Sequence, residues 1–333
     1  MSGLFMMASE NEIGKAISQS KLAALKALQY YNLDWEHIRF IQFSDTCTFQ
    51  IDTSKNGSFL LRIHWGMSEK EIISEIDWLD YLNEKFDITL PKGILDRDGF
   101  KTLRIVQEDG YYSFASLMRW VEGTHASGGL SDEQIFKEGI LLAKLHKTSM
   151  DFELTPNFAR PNWGEQSFRR AMSRLKKYYD RFLSDIEFQL YQLAAERILS
   201  WITQLHKDSR SYGLIHGDLH QGNIIFYNGE PRPIDFGRCG FGYFLYDIAH
   251  TILGIYPLKR ELLIKGYETI LRLEADWLPA LESFTVMVMI ENYCHHAPDP
   301  RETEGLKEEQ AYAQAMIRNY LKGKPFLFKT LDL

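Results

Sequence analysis

The chain has 333 residues, 45% of them hydrophobic and 25% charged, enough for about two domains of ordinary soluble composition at roughly 150 residues each. Its 23 Gly and 10 Pro exclude a collagen-like or low-complexity chain, and a net charge of −7 argues against a basic nucleic-acid surface. The longest runs free of Asp, Glu, Lys and Arg, 219–229 and 248–258, are 11 residues each, short of the roughly 20 that span a bilayer.

The first residues, MSGLFMMASENE, carry no basic n-region and do not read as a signal peptide. Cys47, Cys239 and Cys294 are scattered and fit neither a disulfide framework nor a CxxC metal site. The expectation is a reduced, cytoplasmic protein with no membrane or nucleic-acid partner.

In chain order, residues 12–30 carry apolar side chains at helical spacing (Ile13, Ile17, Leu22, Leu25, Leu28), which predicts an amphipathic helix. Three strand-like runs follow, Ile38–Phe43, Cys47–Thr53 and Ser58–His64. Asn56-Gly57 predicts a hairpin between the last two, because both central positions of a type I′ turn need positive φ. Ser68-x-x-Glu71 opens a helix at about 68–85 with a capping box. Runs at 100–107 and 111–121 read as further strands, and from about 131 the pattern is helical with one interruption at 212–236. The expected fold class is α+β: a small sheet-rich N-terminal lobe over 1–122 and a larger helical lobe over 123–333, joined near Trp120–Gly123.

The interruption carries the chemistry. It reads His216-Gly217-Asp218-Leu219-His220-Gln221-Gly222-Asn223, then Ile224-Ile225-Phe226-Tyr227, Asn228-Gly229 and Ile234-Asp235-Phe236-Gly237. A two-residue turn at Asn228-Gly229 sets Asn223 opposite Ile234, beside Asp235, and so gathers Asp218, Asn223 and Asp235 at the open end of one hairpin. Two acceptors on the hairpin beside a further carboxylate make a hard-oxygen grouping suited to Mg²⁺. Pro231 and Pro233 allow the return arm to be a strand only if it is an edge. His216 and His220 have the i, i+4 spacing of a helical zinc pair, but Gly217 and Gly222 oppose a helix. His216 therefore reads as a buried loop organiser and His220 as a supporting residue beside it. Cys294-His295-His296 are adjacent, and neighbours on a helix point apart. No GxxxxGK[ST] occurs, which excludes a P-loop.

His-x-Asp-Leu-x-x-x-Asn followed by Asp-Phe-Gly resembles the catalytic-loop and metal-loop pair of the protein-kinase fold. With Gly217 where protein kinases usually carry Arg, and Phe241-Gly242 and Leu245-Tyr246-Asp247-Ile248-Ala249 downstream, it resembles the aminoglycoside phosphotransferase/choline kinase group, including homoserine-kinase-like bacterial members. The resemblance implies a bilobal protein-kinase-like fold with an antiparallel-sheet N-lobe and a helical C-lobe. It also implies ATP, with GTP as the alternative, and Mg²⁺ as cofactors. Asp218 would be the base toward an acceptor hydroxyl, Asn223 and Asp235 would hold the metal, and Asp247 would brace the catalytic loop.

By the same resemblance the N-lobe needs a cation on its third strand and a carboxylate on the next helix. The cation is Arg62, where the pattern has Lys. Glu75 falls within the helix's apolar face (Ile72, Ile76, Leu79, Leu82), where a carboxylate is costly unless paired, so Arg62–Glu75 is the expected pair. Ser44 and Thr46 would lie in the phosphate-covering loop, which lacks glycine, and backbone groups of Arg119, Trp120 and Val121 would face the adenine edge.

The acceptor wall is expected in the helical lobe, with Trp163, Glu291, Tyr293 and His295 as candidates. Residues 160–181 hold seven bases against two acids and 299–309 five acids against two bases, pulling toward an anionic and a cationic acceptor respectively. The expected activity is phosphorylation of a small-molecule hydroxyl (amino alcohol, sugar, aminoglycoside or homoserine-like). The alternatives are a bacterial protein Ser/Thr kinase of the same fold and a nucleotide-binding pseudokinase. Nothing in the sequence indicates an oligomeric state.

Overall fold

The computed structural model describes Met7, residues 9–107, Gly110 and residues 112–332. The start of the N-terminal segment and residue 111 of the expected 111–121 strand lie outside the described residues. Contacts divide the chain into two units, Met1–Glu122 with Glu153–Arg160, and Gly123–Phe152 with Pro161–Leu333.

The first unit begins with α1 (Glu10–Leu28), capped by Ser9, whose side chain accepts from the Glu12 N–H. Its buried face differs from the expected stripe: Ala16, Ala23, Ala24 and Ala27 are buried with Ile13 and Leu28, while Leu22 and Leu25 are exposed. Small alanines let the helix axis approach the sheet closely, and that close contact outweighs the larger leucines. The sheet is antiparallel, in the order β1 (Trp35–Phe43), β2 (Thr46–Thr53), β3 (Ser58–His64), then β6 (Tyr112–Arg119), with β4 (Lys92–Ile94) and β5 (Leu103–Val106) both on the far side of β6. Phe49, Ile51, Phe59, Leu61 and Ile63 of this sheet form one core with α1.

The turn after β2 is not the expected two-residue type. Asp52 pairs with Ser58, and of Asn56 and Gly57 only the glycine has positive φ. Asp52 accepts from Ser58 Oγ at 2.6 Å and from Gln50 at 2.8 Å, and Thr53 Oγ1 donates to Gly57 O at 2.7 Å. These bonds hold a longer loop. α2 (Glu69–Lys85) carries the expected capping box of Ser68 and Glu71. The short β4 has no sequence pattern of its own. The segment Glu153–Arg160 docks on α2, Ala159 N–H donating to Ser74 Oγ and Arg160 Nη1 to Glu71 O, both at 2.9 Å.

The second unit is helical except near its centre. It runs α3 (Asp132–Met150), α4 (Glu165–Tyr178), α5 (Asp185–Ile202), β7 (Tyr212–Ile215), β8 (Ile224–Tyr227), β9 (Glu230–Pro233) and β10 (Gly240–Tyr243). Then come α6 (Phe244–Leu253), α7 (Arg260–Glu268), α8 (Trp277–His296), α9 (Thr303–Glu308) and α10 (Gln310–Leu321). α8 is apolar nearly all round, and its Leu281, Phe284, Val286, Met287, Val288 and Ile290 lie in the middle of the core, as such a helix must. β10 pairs with β7, so the non-helical interruption extends beyond the expected 236 to Tyr243. Among the described residues no helix is long and apolar enough to cross a membrane.

α3 and α7 touch through glycine. A Cβ on Gly139 would lie 2.0 Å from Leu263 O, and one on Gly266 2.0 Å from Phe136 O. Backbone cannot yield as a side chain can, so Gly139→Ala should destabilise the protein by about 3 kcal/mol, the upper end of overpacking costs. Gly14, on α1, has nothing within 4 Å, so Gly14→Ala should stabilise by roughly 0.5–1 kcal/mol through helix propensity alone. Urea denaturation of both variants checks the contrast.

Candidate active site

β7 ends in the core and delivers the loop 216–223. Gly217 has φ +77, and a Cβ there would lie 2.5 Å from Arg238 O and 2.7 Å from Trp163 Nε1, so glycine alone fits. The loop is anchored by Asp247 on α6. Its Oδ2 accepts the His216 N–H and its Oδ1 the Gly217 N–H, both at 2.7 Å, and His146 Nε2 lies 3.2 Å from Oδ2. Asp247 is wholly buried. Burial alone would push its pKa up, but the His146 hydrogen bond, the His146 and His216 rings and the Gly217 N–H hold it below the usual carboxylate range.

The hairpin of β8 and β9 has the expected register, Ile224 opposite Pro233 and Tyr227 opposite Glu230, with Asn228 at φ 51 and Gly229 at φ 79. Ile234 N–H donates to Asn223 O at 2.9 Å. Alternation then puts Pro231 and Pro233 at the non-hydrogen-bonded positions, where a missing N–H costs nothing. Beyond β8, Phe226 exchanges both backbone hydrogen bonds with Thr124.

Three of the expected residues meet at the open end. Asn223 Nδ2 donates to Asp218 O at 2.9 Å, which leaves the amide oxygen as its acceptor end. Asp235 follows Ile234 in left-handed backbone, φ 60 and ψ 68, a conformation that Asp tolerates better than most residues. The His216 imidazole ties the two arms together, its Nε2 donating to Ile234 O at 3.0 Å. Burial lowers the pKa of His216, against the pull of Asp247, Asp218 and Asp235. His220 is exposed, its Nδ1 accepting from Gly222 N–H at 3.0 Å. Among the described residues no three His, Cys, Asp or Glu side chains group as a metal site. The available donors are carboxylate and amide oxygens, a set that fits Mg²⁺ and its retained waters.

The structure separates the four expected wall residues. Trp163 Nε1 donates to Arg238 O at 2.9 Å, the Arg238 guanidinium lies 4.7 Å over the indole, and the indole stacks on Tyr246 at 6.1 Å. Glu291 accepts from Tyr246 OH at 2.6 Å and Ser167 Oγ at 3.2 Å. Burial pushes its pKa up to about 7, with Tyr246 and Arg238 opposing. His295 is kept neutral by burial, with Arg238 adding to the effect. Tyr293 goes elsewhere: two positions from Glu291 on α8, it turns into the core against Phe182 and Tyr191.

In the first unit Arg62 Nη1 meets Glu75 Oε1 at 2.7 Å with both side chains buried, the expected pair. Ser44 and Asp45 form a tight turn, Ser44 N–H donating to Thr46 O at 3.1 Å, and Thr46 already belongs to β2. Thr46, expected in the loop, therefore stands in the strand that follows it. The Trp120 N–H is taken by Ser58 O at 3.1 Å and is not offered to a ligand. The Arg119 side chain donates to Asn56 O at 3.2 Å and lies over Phe59, and Val121 is buried.

Three contributors have no sequence motif. Arg238 lies two residues beyond Phe236. Glu138 on α3, wholly buried, accepts from Gln221 Nε2 at 2.9 Å and so holds the 216–223 loop. His250, one helical turn after Asp247, stands with Nδ1 3.6 Å from Asp218 Oδ1. The i, i+3 spacing from Asp247 was the one available signal for His250. Gln221 and Gly222 also line a cavity of about 640 Å³ with His125, Ile224, Phe226 and Lys259.

The phosphotransferase enzyme family (APH) matches residues 38–282 of the chain. The chain is 24% identical over 302 residues to the amicoumacin kinase of Bacillus subtilis (strain 168), covering 84% of this chain and 85% of that protein. Among solved structures it is similar to a microcompartment-associated aminopropanol kinase, with TM-score 0.79 and 21% identity over 93% of this chain and 100% of that one. It is also similar to an amicoumacin kinase in complex with AMP-PNP, Ca²⁺ and Ami, with TM-score 0.78 and 20% identity over 95% and 97%. These likenesses identify the fold as protein-kinase-like.

The buried acids generate a pH prediction. Glu138 and Glu291 both have pKa values raised to about 7, Glu138 by burial against the Gln221 hydrogen bond. A carboxyl with a raised folded pKa contributes stability below its unfolded value, near 4.5, and that contribution is lost as pH rises through 7. Stability should therefore fall between pH 5 and 7, and Glu138→Gln and Glu291→Gln should each remove one proton's worth of that slope in denaturation curves.

Proposed function

Because the chain belongs to the phosphotransferase enzyme family, we propose that it moves the γ-phosphoryl group of ATP, as its Mg²⁺ complex, to a hydroxyl of a small molecule. The observation that carries this reading is the double tether at Asn223. Its side-chain amide nitrogen holds the Asp218 backbone and its backbone carbonyl takes the Ile234 N–H, so the loop that carries Asp218 and the strand end that leads to Asp235 are tied together.

Asp218 is the base. The acceptor oxygen forms a bond to the γ-phosphorus while the bond from phosphorus to the β–γ bridging oxygen breaks. That electron pair leaves with ADP, and the acceptor's proton goes to Asp218. Asn223 and Asp235 would hold the metal, which would offset the charge of the phosphates. In the first unit Arg62, positioned by Glu75, supplies a guanidinium fork for phosphate oxygens, with the Ser44–Thr46 turn covering them. The backbone at Arg119 and Val121 is the adenine-facing segment. Support for nucleotide and divalent metal comes from the similar structures, one with AMP-PNP and Ca²⁺ and one with GDP and kanamycin. Support for a small-molecule acceptor comes from the amicoumacin and aminopropanol kinases. Trp163, Arg238 and His295 are the proposed acceptor wall, with Glu291 behind them.

A coupled ADP-release screen over amino alcohols, sugars, aminoglycosides and a generic protein substrate should show turnover with a small molecule. Asp218→Asn should lower kcat by about 10²–10⁴-fold, the range for loss of a general base, and Asp235→Asn should abolish Mg²⁺-dependent turnover. Activity surviving both substitutions would overturn the mechanism, and transfer to the protein substrate alone would replace the acceptor class.

A further inference from the structure

His250 has no place in the motif, yet from α6 it stands beside the Asp218 carboxylate. It lies three residues beyond Asp247, so the two project from one face of α6. Asp247 takes the loop's backbone N–H groups, and His250 meets its acid, Nδ1 standing 3.6 Å from Asp218 Oδ1. The ring is 7% exposed and held edge-on by Tyr246 at 4.9 Å. Tyr246 is fixed in turn by Glu291.

Buried Nε2 has no hydrogen-bond partner among the described residues. Burial pushes the ring's pKa down to about 4. Asp218 and Asp247 pull it up, Arg238 and His220 push it further down, and at neutral pH the imidazole carries a single N–H. A proton on Nε2 would leave a buried donor with nothing to receive it, at a cost of about 1–3 kcal/mol. It would also set the Nδ1 lone pair against a carboxylate oxygen. A proton on Nδ1 avoids both.

We propose that His250 is the positioning residue for Asp218. Its Nδ1–H is directed at Oδ1, fixes the rotation of the carboxylate, and leaves Oδ2 to take the acceptor's proton. The role rests on the phosphotransfer reading above. A neutral donor suits it, because a cation at this place would weaken a carboxylate as a base, whereas an N–H dipole orients it and leaves its charge intact. The 3.6 Å separation exceeds a hydrogen bond, and contacts of this kind commonly shorten once the acceptor is bound.

Two measurements test it. The first is steady-state turnover of Mg·ATP, with water and with aminopropanol as acceptors. His250→Phe should lower kcat about 10- to 100-fold, the scale for a misplaced catalytic group, with KM for ATP unchanged. His250→Asn, which places an amide N–H near the Nδ1 position, should recover most of the loss, and His250→Gln, which places it near Nε2, should not. A purely structural side chain would not separate Asn from Gln, so equal kcat values for these two variants overturn the proposal. The second measurement needs no activity. Nitrogen-15 NMR of the imidazoles should show His250 as the neutral Nδ1–H tautomer from pH 6 to 8, with a shift change on Asp218→Asn. An Nε2–H tautomer overturns the proposal. A wild-type protein that turns over no ATP but shows the Nδ1–H tautomer would overturn the phosphotransfer reading, and the positioning role with it, while leaving the His250–Asp218 pairing in place.

Discussion

The second unit is organised around one buried carboxylate. Asp247 takes two backbone N–H groups of the 216–223 loop and meets the His146 ring, and it has no exposure to water. Burying an ion without partners costs several kcal/mol, while charge-assisted hydrogen bonds return about 1.5–3 kcal/mol each, so Asp247 is tolerable only with its donors in place. The dependence is mutual. His216 and Gly217 are buried and outside any regular ladder, and the carboxylate is the acceptor their N–H groups have. Gly217 has positive φ, and the space beside it is filled by Arg238 O and Trp163 Nε1. His146 carries the anchor into α3 and, through the Tyr267 hydroxyl at 3.0 Å, into α7.

From that anchor the site is built by short links. Thr251, one turn further along α6, donates to Leu219 O at 2.6 Å, so the same helix holds the loop on both sides of Asp218. Asn223 then joins loop to hairpin, and His216 joins the loop's start to the hairpin's end at Ile234. The left-handed backbone at Asp235 is local strain that the paired strands sustain, and its effect is to turn a carboxylate out of the strand direction. Rigid neutral links surround the acids: His216 and His250 are both kept uncharged by burial.

What could be read from the sequence follows the range of the interactions. The Asn228-Gly229 hairpin was legible because its turn chemistry and its register are the same local fact. Asn56-Gly57 looked identical and was not, because the Asp52–Ser58–Gln50 bonds fix a different closure. The Arg62–Glu75 pair was legible because a carboxylate on an apolar helix face needs a cation. The phase of α1 was not: hydropathy rewards Leu22 and Leu25, whereas close packing favours the alanines. Neither was the docking of Glu153–Arg160 on α2, which rests on two hydrogen bonds to a helix more than eighty residues earlier. Tyr293 and His250 mark the limit most clearly. Both lie at suggestive places in the chain, and only the rotation of α8 and of α6 decides that one enters the core and the other meets Asp218.

The two opposed charge clusters resolve in the same way, once each charge is followed to its partner. Of the seven bases in 160–181, Arg160 binds Glu71 O in the first unit, Arg169 pairs with Glu165, and Arg181 donates to Pro298 O. Lys176 and Lys177 are exposed. Arg170 and Arg174 remain as the members that act on α8, at Glu291 and Cys294. On the acidic side Asp299 is held by Arg301 and Glu304 by Lys307. Neither cluster is a uniform patch, so neither sets the acceptor's charge by bulk field. Arg238 instead acts singly on a group of buried side chains, His250, Tyr246, Glu291, His295 and His296. The proposed acceptor would meet one guanidinium stacked on an indole, neutral imidazoles and the Asp218 carboxylate. That arrangement reads hydrogen-bond geometry and aromatic surface more than net charge.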